Sequence, residues 1–155
     1  MKLINVILGP LPEKLNICIE SQKRFADLNN MEYISITEIP EWGKRYAMTN
    51  AIVDRIKLEY LANENNILAC DWDIQLYDNF QLPFRPSLGD NGNNFMWNGN
   101  DKEIFKKSFD ELVEYEKNHS KYYCEYCRAM KILNKNEYLS VRFDNKTYKH
   151  IRWRQ

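Results

Sequence analysis

The run Ile67-Leu68-Ala69-Cys70 is apolar at every position and opens directly onto Asp71-Trp72-Asp73. A strand with one wet face alternates polar and apolar residues, whereas an unalternating strand is covered on both faces. This short run therefore predicts a sheet with helices on each side. Residues 2–8 read the same way, mostly aliphatic and β-branched and stopped by Gly9-Pro10. Pro12-Glu13 then opens a helix, with proline at its first position and an acid in its first turn. Leu15, Cys18, Ile19, Phe25 and Ala26 keep one helical stripe until Asn29-Asn30. Residues 31–37 predict a second strand before Pro40, and residues 49–63 a second helix with Ile52, Val53, Ile56, Tyr60 and Leu61 inward. The order β-α-β-α-β predicts an α/β fold, a mainly parallel sheet flanked by helices.

Past Pro83 the pattern loosens, and residues 86–90 read as a loop. Phe95-Met96-Trp97 suggests a strand. Asn100 is expected to cap a third helix, with Glu103 as its capping-box partner and Phe105, Phe109, Leu112, Val113 and the stem of Glu116 on the inner stripe. Residues 138–143 suggest a last strand, followed by a basic, aromatic tail over 148–154.

A chain of 155 residues suits a single domain, and 1–155 is read as one. With 44% hydrophobic and 14% aromatic residues, wholesale disorder is excluded. Lys+Arg and Asp+Glu balance at 22 each, which disfavours a dedicated nucleic-acid module, because gripping phosphates calls for a basic excess. No apolar run reaches the ~18–20 residues of a membrane span. Residues 1–8 run into Pro10, Pro12, Glu13 and Lys14 without a small-residue cleavage site, so a signal peptide is not expected. Cys18 and Cys70 fall in apolar stretches, predicting buried thiols and a reducing, cytoplasmic location. The sequons at Asn118 and Asn145 are then chance matches.

Asp71 and Asp73 carry the chemistry. In extended backbone, residues two apart point to one side, so two carboxylates would project together past the carboxyl end of a strand. In open α/β sheets that edge is where ligands bind. Paired hard oxygen anions suit Mg²⁺ or Mn²⁺, which takes one or two carboxylates and fills its remaining positions with water and phosphate oxygens. The competing reading is a pair of solvated turn aspartates, or an acid capping the next element.

Residues 3–41 and 49–80 resemble the glycosyltransferases with a DXD sugar-binding region, family 32 and its capsule-synthesis relatives. Ile4-Asn5-Val6-Ile7-Leu8-Gly9-Pro10-Leu11-Pro12-Glu13-Lys14-Leu15, then Cys18-Ile19-Glu20-Ser21, is similar to that family's first strand, turn and helix. Asp54-Arg55-Ile56-Lys57 followed by Asn65-Asn66-Ile67-Leu68-Ala69-Cys70-Asp71-Trp72-Asp73 resembles its helix-to-acid block. Residues 95–115 resemble a segment in which an Asn-bearing strand precedes a helix, and Tyr148-Lys149-His150-Ile151-Arg152-Trp153 its carboxyl-terminal His and Trp. Lys57 stands where the family has Arg, Asn65-Asn66 replaces a Gly pair, and the first strand lacks the usual His and Trp. Of these changes Gly to Asn is the mildest, because Asn tolerates left-handed backbone.

The resemblance implies a nucleotide-sugar-binding, GT-A-like (Rossmann-like) sheet and transfer of a sugar from a nucleoside-diphosphate donor to a hydroxyl acceptor. It implies Mn²⁺ or Mg²⁺ held by Asp73, with Asp71 sharing it or holding the donor's ribose or sugar, and His150 completing the shell or contacting the diphosphate. Asp71, Trp72, Asn94, Arg152 and Trp153 would meet the donor. Asp54 and Lys57, one helical turn apart, would grip sugar hydroxyls or simply pair with each other on the surface. No carboxylate nucleophile is assigned. Trp72, Trp97 and Tyr46 are candidates for stacking on base or sugar, against the alternative of buried packing.

Three rival readings remain at this level. One is a catalytically silent nucleotide- or sugar-binding domain of the same fold. Another is a viral sugar transferase acting on modified nucleic-acid bases, with Arg142, Lys146, Lys149, Arg152 and Arg154 touching phosphate. The last is a zinc site at Cys124-Glu125-Tyr126-Cys127 with His119, although a structural zinc needs four ligands and no second cysteine pair lies near it.

Overall fold

A computed structural model describes residues 1–46, 49–89, 92–118, 138–141 and 144–151, and for 92–94 the backbone only. Strands β1 (Lys2–Val6), β2 (Glu32–Ile36), β3 (Ile67–Cys70), β5 (Ser87–Gly89), β6 (Gly92–Trp97) and β7 (Leu139–Val141) form one sheet in the order β2-β1-β3-β6-β5-β7. β1 pairs in parallel with β2 and β3, and β5 with β7; β6 runs antiparallel to β3 and β5. The sheet is mainly parallel, as the order of elements predicts. Strands β4 (Ile74–Leu76) and β8 (Tyr148–His150) form a separate antiparallel ribbon.

Helices α2 (Thr49–Asn63) and α3 (Glu103–Lys117) contribute Ile52, Ile56, Leu61, Phe105 and Leu112 to one core, where they meet Ile4, Val6, Ile67 and Ala69 of the sheet. On the other face, Phe25 and Ala26 of α1 (Asn16–Leu28) and Ile74 and Leu76 of the ribbon meet Leu3, Leu68 and Cys70. Alternate residues of β3 thus enter opposite cores, which is why the strand shows no polar alternation. Asn66 adopts φ 59°, the left-handed backbone that the Gly-to-Asn exchange requires. At the same end of β3 the Asn98 side chain accepts from the Ile67 N–H at 2.8 Å and donates to the Leu61 carbonyl at 2.8 Å, with no exposed surface.

Four local expectations are corrected. Residues 87–89, read as loop, form β5, held between two neighbours despite its length. The tail contains β8, which is ordered by pairing with β4. The capping box at Asn100 does not form: Glu103 is already the first residue of α3, no side chain caps the helix, and the Lys102 N–H donates to Asn65 Oδ1 at 3.0 Å. Within α2, Asp54 and Lys57 are buried instead of pairing on the surface, while Val53 and Tyr60, partly exposed, pack against the core. Among the described residues, no helix is long and apolar enough to cross a membrane.

Candidate active site

Strands β1, β2 and β3 are mutually parallel and end on one edge, and β3 delivers Asp71 there. The backbone does not stay extended through Asp73. It turns, with the Ile74 N–H donating to the Asp71 carbonyl at 3.2 Å. The two acids therefore meet different elements instead of projecting as a matched pair.

Asp71 faces α2. Its Oδ1 lies 2.5 Å from Lys57 Nζ, and its side chain is 24% exposed. Lys57 has no exposed side-chain surface and also reaches Asp54 Oδ1 at 3.4 Å. Burial pulls the Lys57 pKa down, but the charges of Asp71 and Asp54 more than offset this and hold it above its ordinary value. Of the two alternatives open for Asp54 and Lys57, the structure has them paired, and inside the molecule rather than on its surface.

Asp73 faces the ribbon. Its Oδ2 lies 3.0 Å from His150 Nε2, and the side chain is 10% exposed. The register Ile74↔His150 and a hydrogen bond from the Ile151 N–H to the Asp73 carbonyl at 2.8 Å bring the two together. Asp73 Oδ1 is buried without a hydrogen-bond partner among the described residues.

A buried amide network underlies the turn. Gln22 Nε2 donates to the carbonyls of Asp71 (2.9 Å) and Ile74 (2.7 Å), and Gln22 Oε1 accepts from Asn5 Nδ2 at 2.6 Å. Neither side chain is exposed. Sequence reasoning passed over both residues, yet each left a signal. Gln22 occupies the helical stripe between Ile19 and Phe25, and Asn5 interrupts an otherwise aliphatic strand.

Cys18 and Cys70 are free thiols in the core. Burial pushes Cys18 up to about 12, with the charge of Asp73 adding to the effect. Burial, then the charge of Asp71, likewise raises Cys70. Trp97 is buried and donates its indole N–H to the Pro83 carbonyl at 3.0 Å, so it packs and does not stack on a ligand. Trp72 and Tyr46 are partly buried. Arg152, Trp153, His119, Cys124, Cys127, Arg142, Arg154 and the side chain of Asn94 lie outside the described residues.

Among the described residues, no group of three or more His, Cys, Asp and Glu side chains is arranged to hold a metal ion. The Asp73–His150 pair still fits one. Asp73 Oδ2 meets the imidazole nitrogen while Oδ1 of the same carboxylate has no hydrogen-bond partner among the described residues, a carboxylate and an imidazole that a divalent ion could share, and Mg²⁺ or Mn²⁺ needs only one or two carboxylates from the protein. A cavity of about 350 Å³ lies elsewhere, between α2 and the region after β2, lined by Ile36, Trp42, Glu59 and Tyr60 among others.

No family model matches the chain, and no curated protein matches it. Among solved structures, it is similar to the crystal structure of a glycosyltransferase involved in the glycosylation of the major capsid of PBCV-1. The TM-score is 0.54 and the identity 10%, with 99% of this chain and 94% of that chain covered. At that identity the likeness establishes the fold: the chain is built like this glycosyltransferase over essentially its whole described architecture.

Proposed function

We propose that the protein is a metal-dependent glycosyltransferase that moves a sugar from a nucleoside-diphosphate donor to a hydroxyl acceptor. The observation that carries this reading is Asp73 beside His150 at the carboxyl edge of the sheet, with one buried carboxylate oxygen left unpartnered among the described residues. The shared fold with a glycosyltransferase supports it. Asp73 and His150 would hold Mn²⁺ or Mg²⁺, and the exposed part of Asp71 would share the ion or take a hydroxyl of the donor. When bound, the ion supplies Lewis-acid neutralisation of the charge that develops on a departing diphosphate, typically several kcal/mol of barrier. Lys57 would hold Asp71 in place from behind, acting through that carboxylate and not on the sugar. Trp72, Asn94, Arg152 and Trp153 would contribute donor contacts.

A nucleotide-sugar screen with Mn²⁺ tests this, reading free nucleoside diphosphate for the wild type and Asp73→Ala. We expect release by the wild type and at least a hundredfold less by the variant. Equal release by both would remove Asp73 from the mechanism. The chain has two histidines, His119 and His150, and Mn²⁺ should broaden the ring resonances of His150 in NMR spectra, a loss that His150→Asn identifies.

A second reading, a catalytically silent nucleotide- or sugar-binding domain, is favoured by one observation. Lys57 already neutralises Asp71 from inside, which lowers that carboxylate's capacity to bind a cation. Binding of nucleoside diphosphate without turnover of any donor would select it.

A further inference from the structure

We propose that Gln22, braced by Asn5, is the positioning residue that staples the acidic turn and so sets where Asp73 meets His150. Its consequence for metal binding rests on the function proposed above; the stapling itself does not.

The Gln22 amide has two N–H donors, and they go to the first and last residues of the turn, the carbonyls of Asp71 and Ile74. The turn's own hydrogen bond, Ile74 N–H to Asp71, is at the long end at 3.2 Å. The Asp73 carbonyl between them is held by the Ile151 N–H, just past β8. Gln22 from α1 and Ile151 just past β8 therefore grip successive parts of one short segment. Asp73 is placed by these backbone bonds together with its own contact to His150.

The two carbonyls fix the orientation of the Gln22 amide, because a flipped Gln22 would set its oxygen against both, and Asn5 Nδ2 braces the Oε1 that is left facing it. Asn5 sits on β1 opposite Cys70, the last residue before the acids, so the reference point is the centre of the sheet. Its own Oδ1 is buried without a hydrogen-bond partner among the described residues. A network left partly unsatisfied is a poorer stabiliser than a well-packed apolar core. Stability alone therefore does not account for two polar side chains at these positions, whereas fixing the turn does.

The test compares Gln22→Met, which keeps the length and removes both donors, with Asn98→Ala. Asn98 bonds at the opposite end of β3 and serves as a control for general destabilisation. Amide hydrogen exchange over residues 71–76, the urea midpoint and Mn²⁺ affinity by electron paramagnetic resonance are read for each. For Gln22→Met we expect exchange in 71–76 to rise at least tenfold more than in β1 or α2, and Mn²⁺ affinity to fall about tenfold. Asn98→Ala should leave both within twofold of the wild type once the change in midpoint is allowed for. Asn5→Ala should act in the same direction as Gln22→Met, and it carries the test if the latter does not fold. Exchange that rises uniformly along the chain in these variants would overturn the proposal. Local loosening of the turn in a protein whose wild type takes up no Mn²⁺ would retain the staple and remove the metal. Unchanged exchange in the turn with unchanged Mn²⁺ affinity would remove the staple and retain the metal.

Discussion

An ammonium with no exposed surface stays charged only where carboxylates replace its lost water, and Lys57 has two of them. Removing it strands both. Lys57→Met should cost about 3–5 kcal/mol in urea unfolding, with part recovered when Asp54→Asn is added, because breaking a buried pair costs more than removing it whole. A loss below about 1 kcal/mol would mean that water already screens the cluster. The two core thiols allow a second test at this scale. The thiolate is the reactive form, and burial holds both pKa values high. Iodoacetamide at pH 8 should therefore leave Cys18 and Cys70 unmodified in the native protein and label both in urea. Rapid native labelling of either would contradict their burial.

The ribbon that carries His150 depends on one turn. Asp144 Oδ1 accepts the N–H groups of Lys146 and Thr147, both at 2.8 Å, and Oδ2 accepts from the Thr147 hydroxyl. The backbone N–H of Thr147, then that of Lys146, holds the Asp144 carboxyl well below the usual carboxylate range. A depressed carboxyl contributes stability above its unfolded value, here 3.8, and loses it as pH falls further toward the folded value. Asp144→Ala should therefore lower Tm at pH 7, and the gap to wild type should narrow from pH 4 to pH 2.5. A gap of constant size would rule out an ionised Asp144 as the cause. Boundaries were legible where a long periodic run or an unbroken apolar run sets them: residues 49–63 as helix and 67–70 as strand agree with α2 and β3. β5 and β8 were not, because three residues carry no readable period and take their order from neighbours distant in sequence.

At the scale of the whole molecule, two cores on opposite faces of one sheet carry the stability. Phe95 is fully buried in the α1-side core, with ring centroids 5.5 Å from Phe80 and 5.7 Å from Tyr148. Phe95→Ala should cost about 3–5 kcal/mol. Phe84, 88% exposed, should tolerate alanine within about 0.5 kcal/mol. Urea melts of the two variants separate these outcomes, and similar costs would show that the core is misassigned. Loss at Phe95 also loosens the floor under Tyr148, whose hydroxyl donates to the Val141 carbonyl at 2.7 Å and joins the ribbon to the sheet.

Periodicity reports how each segment is buried. The sequence alone therefore determined the α/β layering, the unalternating central strand, the buried thiols and the arrival of two acids at a strand's carboxyl end. Which partner each acid meets is a matter of distance in space. Lys57 stands 14 residues from Asp71 and His150 77 residues from Asp73, and no local pattern encodes such pairings. The antiparallel course of β6, the closing of the turn at Asp71 and the amide that spans it were decided only when helix, sheet and ribbon packed together. Each depends on backbone groups that every sequence has and that only the fold brings within hydrogen-bonding reach.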